Sequence, residues 1–277
     1  MTGDGLPEEG LATRGPRRLP AVTVGIDLAA RARRTAVCRV EWTAEGAVTP
    51  EFVAPPADED LLALIRSADK TGLDCPLGWP SSFVALVLAH HQGVRLPPPA
   101  RFEERADGRA GLDPSRFRLT DDLTWKATAK RPPLSVSTDL LGVVALRAAR
   151  LLDALAAAGV AVPRDGSGVI AEVYPAAALS LWGIRPGRSY KTPGPESREV
   201  RERVVGSIEE GLGLHLPEQV RAACLDSHDH LDALICALVA RAVLLGDTGR
   251  PDTPHEREAA QREGWIHLPG GDLGGLR

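Results

Sequence analysis

Asp229 and Asp232 stand three residues apart in the run Asp226–Ser227–His228–Asp229–His230–Leu231–Asp232–Ala233–Leu234–Ile235–Cys236–Ala237–Leu238. On an α-helix, positions i and i+3 share a face, about 4.5 Å apart along the axis. The same helix carries Leu231, Leu234, Ile235, Leu238 and Val239, which belong in a core. Two like charges on one face of a half-buried helix repel each other and lose hydration, so the fold must bring something to compensate them. A divalent cation does so most directly, because hard cations take carboxylate oxygens. A blander reading needs no ligand: acidic side chains near a helix N-terminus are favoured by the dipole, with Ser227 or Asp226 as the cap. In either case the pattern predicts a helix from near Ser227 to about Leu245, stopped by Gly246.

Three more acids occupy awkward places. Asp27 ends the β-branched run Val22–Thr23–Val24–Gly25–Ile26–Asp27. Asp74 ends Gly72–Leu73–Asp74–Cys75–Pro76, with Leu77–Gly78–Trp79–Pro80 continuing the turn. Glu172 lies in Gly168–Val169–Ile170–Ala171–Glu172–Val173–Tyr174–Pro175, a third strand-like run. Each carboxylate sits at or near the end of an apolar strand, and in open α/β sheets ligands bind along that edge. Any one of them reads equally well as a turn or cap residue. Three together with an acidic helix pair are harder to explain that way.

Around these residues the pattern alternates strands and helices. Thr35–Trp42 and Val48–Val53 read as strands two and three, joined through Thr43–Gly46 as a hairpin. A helix is expected over 58–68, a strand over 71–75, and a helix over 80–91 with Ser81 or Ser82 near its cap. Residues 93–136 are dense in Pro and Arg with no regular apolar period, and read as an irregular insertion over the edge that carries the acids. A long Ala/Leu helix follows over 138–158, capped by Ser137 or Thr138 and ended by Gly159. Then come a strand at 168–173, a short helix from Pro175 to Trp182, a loop at 186–195 and a charged helix at 196–211. Residues 1–20 have the composition of a disordered tail, leaving 21–277 as one domain.

Composition narrows the classes. With 277 residues, 43% hydrophobic and 25% charged, the chain matches an ordinary globular protein. Its net charge of −4 attracts no polyanion overall, so any nucleic-acid contact must come from a local basic surface. Cys38, Cys75, Cys224 and Cys236 form no C-x-x-C pair and each lies in an apolar run, as reduced core thiols of a cytoplasmic protein do. No signal peptide or membrane span is visible.

The order strand–Asp, strand–Asp–x–Pro–Leu–Gly, Glu–Val–Tyr–Pro and Asp–x–x–Asp–Ala–Leu resembles the predicted RNase H-like nucleases (domain of unknown function 429). The last motif also resembles the acidic pair of RuvC-type Holliday-junction resolvases. The likeness runs from Val22 to Glu263–Gly264–Trp265–Ile266–His267–Leu268–Pro269. It implies an α/β, RNase H-like fold with a mixed five-stranded sheet and helices on both faces. It also implies a carboxylate cluster of Asp27, Asp74, Glu172, Asp229 and Asp232 that binds Mg²⁺ or Mn²⁺. Two-metal phosphoryl transfer places several carboxylates around cations about 3.5–4 Å apart and needs no nucleophilic Ser or Cys. Asp27, on the central strand, is then the bridging ligand, and DNA or RNA the expected substrate.

Other residues are more equivocal. His228 is one turn from Asp232 and reads either as a surface histidine or as a member of its proton network. Arg118 and Asp121 resemble the family's Arg–x–x–Asp segment and are candidates for orienting substrate phosphate; a surface ion pair fits them equally. Lys191 and Arg198 are further phosphate candidates. No G-x-x-x-x-G-K-[ST], G-x-G-x-x-G, G-x-S-x-G or H-E-x-x-H sequence is present. Two alternatives to a nuclease remain open. One is an actin-like ATPase or kinase-related phosphotransferase, since Gly25–Ile26–Asp27–Leu28–Ala29 followed by Thr35 loosely resembles a phosphate segment. The other is a non-catalytic binding module on the same fold.

Overall fold

The computed structural model describes residues 20–54, 57–104, 108, 110–128, 132–186, 189–192 and 194–277. Apart from Pro20, the expected disordered tail lies outside the described residues. The five strands are β1 (Ala21–Asp27), β2 (Ala36–Trp42), β3 (Val48–Val53), β4 (Lys70–Asp74) and β5 (Ile170–Glu172). They form one open mixed sheet in the order β3-β2-β1-β4-β5. The first three strands meander antiparallel, while β4 runs parallel to β1 and β5 parallel to β4. Parallel neighbours need crossovers. Helix α1 (Asp58–Ser67) supplies the first. Helices α2 (Ser81–His91), α3 (Leu119–Thr128) and α4 (Gly142–Ala157) lie in the second. After β5 come α5 (Pro175–Leu181), α6 (Pro195–Leu212), α7 (Glu218–Asp226), α8 (His228–Leu245) and α9 (Pro254–Glu263).

Side chains alternate across a strand, so the sheet feeds two cores. Val24, Ile26, Val37, Leu73 and Ile170 pack with α1 and α4 on one face. Cys38, Val40, Trp42 and Val173 pack with α5, α6, α7 and α8 on the other. Helix α8 is the spine of that second core. Every residue from Leu231 to Ala242 is buried, so the helix is enclosed on all sides rather than half-buried as its sequence suggests. It lies directly on Gly25 and Gly72, which are partners in the β1–β4 register. A Cβ at Gly25 would stand 1.9 Å from the Ala233 carbonyl oxygen, and one at Gly72 would stand 2.2 Å from that of Cys236. Two paired glycines under small helix residues therefore set the helix-to-sheet distance.

Several expectations are corrected. The 93–136 segment is not wholly irregular, since α3 lies within it. Helix α4 starts at Gly142, past both expected caps, Ser137 and Thr138, and no side chain caps it. Ser135 Oγ accepts the N–H groups of Ser137 and Thr138, and Thr138 Oγ1 accepts from Arg116 Nε. Neither Ser81 nor Ser82 caps α2; the Ser81 N–H instead donates to Glu263 Oε1 at 2.8 Å. All four cysteines are free and buried. Among the described residues, no helix is long and apolar enough to cross a membrane.

Candidate active site

Asp27 and Asp74 face each other across the β1–β4 register at the C-terminal ends of their strands. Each lies two residues beyond a glycine that α8 rests on, so both point toward that helix. Ser227 caps α8 by accepting the Asp229 N–H at 3.2 Å. Asp232, one turn further on, is fully buried. The close approach permitted by Gly25 and Gly72 thus brings a helix carboxylate over a pair of strand carboxylates.

Two consecutive loop residues grip Asp232. The Tyr190 hydroxyl donates to Oδ1 at 2.7 Å, and Lys191 Nζ stands 2.6 Å from Oδ2. Their loop is tied to its surroundings. Arg201, buried in α6, donates to the carbonyls of Tyr190 (2.8 Å) and Leu225 (2.7 Å), and the Ser197 hydroxyl donates to the Ser189 carbonyl. The Lys191 side chain keeps 41% of its surface exposed.

The site holds more negative charge than one ammonium balances. Burial, then the charges of Asp74, Asp232 and Asp229, push the Asp27 carboxyl up to about 9 against the pull of Lys191. Asp74 rises to about 7, chiefly by burial, with Lys191 opposing and Asp232 and Glu172 adding to the rise. For Lys191, burial alone would favour the neutral amine; Asp232, Asp74 and Asp27 outweigh it and raise the pKa. Asp229 sits nearer solvent. Its Oδ1 is 2.9 Å from His228 Nε2, and that hydrogen bond holds its carboxyl below the usual range. His228 thus pairs with Asp229, not with Asp232.

Glu172 does not join this set. In the β4–β5 register it pairs with Leu73, so it points to the sheet face opposite Asp27 and Asp74. Both its oxygens are taken by Arg118, at 2.6 and 2.7 Å, and Oε2 also accepts the Leu77 N–H. Arg118 is itself 1% exposed and is held on its other edge by Asp121. Arg118 and Asp121, expected to meet substrate phosphate, instead form a buried ion lock with Glu172 in the cleft wall, and both Glu172 oxygens already accept hydrogen bonds. Arg198 pairs with Asp226 on the exposed surface of α6 and α7 and takes no part in the site.

The acids open into a cleft of about 650 Å³, a volume suited to a small ligand or a few nucleotides. Tyr174 and Tyr190 both line it. They are the chain's two tyrosines, and their shared place in a sequence so poor in aromatics was a usable signal that spacing arguments passed over. Thr35, the residue of the phosphate-segment comparison, is buried; its hydroxyl accepts from Arg147 at 2.7 Å and from the Ala29 N–H at 3.4 Å. Among the described residues, no three His, Cys, Asp or Glu side chains converge closely enough to hold a metal ion as they stand.

A family model described as "Protein of unknown function (DUF429)" matches residues 25–256, a span that includes every residue of the cleft named above. No curated protein and no solved structure matches the chain.

Proposed function

The chain belongs to the DUF429 family, and from that premise we propose that it is a metal-dependent phosphodiester hydrolase acting on nucleic acid, with Asp27, Asp74 and Asp232 as the Mg²⁺ or Mn²⁺ ligands. One observation carries the reading: two strand-end carboxylates in register lie beneath a buried helix carboxylate, with the Lys191 ammonium among them. The donor set fits the group. It consists of carboxylate oxygens alone, which hard cations prefer, and the raised pKa values of Asp27 and Asp74 mark charge that a dication would offset. The mixed sheet, with its acids at the C-terminal strand edge, supports an RNase H-like fold.

A bound divalent cation supplies a water of lowered pKa and neutralises charge on the phosphoryl group. The protein's own part is to hold and orient. Asp27 comes from the central strand and faces Asp74. Asp232 is fixed by Tyr190. His228, oriented by Asp229 at the cleft mouth, is placed to hold or pass a proton. With Glu172 committed to Arg118, Asp229 is the fourth carboxylate we assign to the site, in place of the five first expected.

The test pairs Mn²⁺ calorimetry with a cleavage panel of single-stranded, duplex, hybrid and branched nucleic acids. Asp27→Asn should keep the fold and lose both metal binding and cleavage. No heat with Mn²⁺, or equal cleavage by parent and variant, counts against the reading. ATP turnover that survives Asp232→Asn, with the nucleic acids untouched, would favour the phosphotransferase alternative.

A further inference from the structure

We propose that Lys191 is a built-in counter-cation that keeps the metal site closed, and that a divalent cation binds by displacing its ammonium from Asp232. The inference rests on the metal reading above. Both oxygens of Asp232 are occupied, and by adjacent residues: Tyr190 holds Oδ1 and Lys191 holds Oδ2. A metal ligated by Oδ2 and the Lys191 ammonium at 2.6 Å cannot share that place. The acids are accordingly arranged around an ammonium, not converged on a metal position.

The two arms of this clasp differ. The Tyr190 arm is fixed, since its side chain is buried and its carbonyl is bound by Arg201. The Lys191 arm enters from the open side and keeps 41% of its surface in solvent. A lysine ammonium is a compact, strongly hydrated charge on a flexible stem, so it can withdraw into water while the loop backbone stays tied. Exchanging a single positive charge for a double one among Asp27, Asp74 and Asp232 is electrostatically favourable. The withdrawn ammonium remains at the cleft mouth, where an anionic phosphodiester must enter. Metal loading therefore frees the group that meets the substrate's phosphate.

Lys191→Met removes the charge and nearly keeps the chain length. A closed state favoured ten to one lowers apparent affinity about tenfold, so the variant should bind Mn²⁺ about tenfold tighter in calorimetry. On the unaltered protein, acylation of Lys191 by an amine reagent, read by mass spectrometry, should rise several-fold when saturating Mn²⁺ is added. Equal or weaker Mn²⁺ binding by Lys191→Met overturns the inference, as does labelling that Mn²⁺ leaves unchanged. Equal binding by parent and variant removes this inference alone, whereas absence of binding in both removes the metal reading with it. The labelling arm requires no variant to fold.

Discussion

Asp27, Asp74, Asp229 and Asp232 share one cleft and behave differently because their neighbours differ. Asp229 stays ionised against His228, and Asp232 is gripped by Tyr190 and Lys191, while Asp27 and Asp74 are pushed toward the protonated form. A carboxyl whose folded pKa is raised binds more protons folded than unfolded, so its contribution to stability is lost as pH rises from the unfolded value through the folded one. For Asp27 that window runs from about 4 to about 9, and for Asp74 it ends near 7. Buried His267, lowered to about 4, works the other way between about 4 and 6.5. Above about pH 6.5 the carboxyl effect therefore stands without that opposition. The melting temperature of the metal-free protein should fall between pH 6.5 and 9, and Asp27→Asn should flatten that fall. An equally steep fall in the variant, followed by scanning calorimetry across the range, would show that Asp27 holds no such proton. The strand-end aspartates were legible because each ends a short apolar run. The fate of Glu172 was not. Its face is set by Ile170 two residues earlier, and its partner Arg118 lies 54 positions away.

Elements were legible where apolar period marked them. Strands β1 to β4 and helices α1, α5, α6 and α8 fall within a few residues of their sequence-based bounds. Helix α3 escaped because its buried face is polar: Thr120, Asp121, Asp122 and Thr124 lie inside with Trp125, held by ion pairs and hydrogen bonds that an apolar count does not register. Helices α7 and α9 were missed because each buries few residues, α7 only Val220, Cys224 and Leu225 and α9 only Ala260. The contact that builds the site joins α8 to Gly25 and Gly72. Backbone atoms, not flexible side chain ends, would meet a new Cβ at Gly25, with the Ala237 nitrogen at 2.3 Å. Gly25→Ala should therefore lift α8 off the sheet and move Asp232 away from Asp27 and Asp74. The expected cost is about 1–3 kcal/mol in urea unfolding, together with weakened Mn²⁺ binding. Gly206→Ala in α6, with nothing within 4 Å of the new Cβ, is the control and should gain about 0.5–1 kcal/mol from helix propensity. If Gly25→Ala matched that control, α8 would not owe its position to the glycine pair.

The molecule as a whole is acidic, at a net charge of −4, and the candidate active-site cleft is lined with carboxylates. A polyanion would be repelled unless positive charge stood at the cleft edge. Asp27 pairs in the β1–β2 register with Ala36, so the short turn between those strands lies at the same end of the sheet as the acids. That turn contains a 3₁₀ helix, Ala32–Arg34, and exposes Arg31, Arg33 and Arg34. Exposed arginines beside an acidic site suit phosphate contacts, which position a nucleic acid without reading its sequence. Each phosphate contact contributes about 0.7 to 0.9 to the slope of log affinity against log salt. Replacing all three arginines with alanine should weaken binding by similar factors across unrelated sequences and make that slope shallower by about 2 to 3. The measurement is fluorescence anisotropy on the Asp27→Asn background, where cleavage does not intervene. Arg198→Ala, which breaks only the exposed pair with Asp226 away from the cleft, should leave the slope unchanged. A triple variant with the parental slope would place the nucleic acid elsewhere on the surface, and one that bound none while the parent bound well would give these three residues a larger share than counterion release predicts.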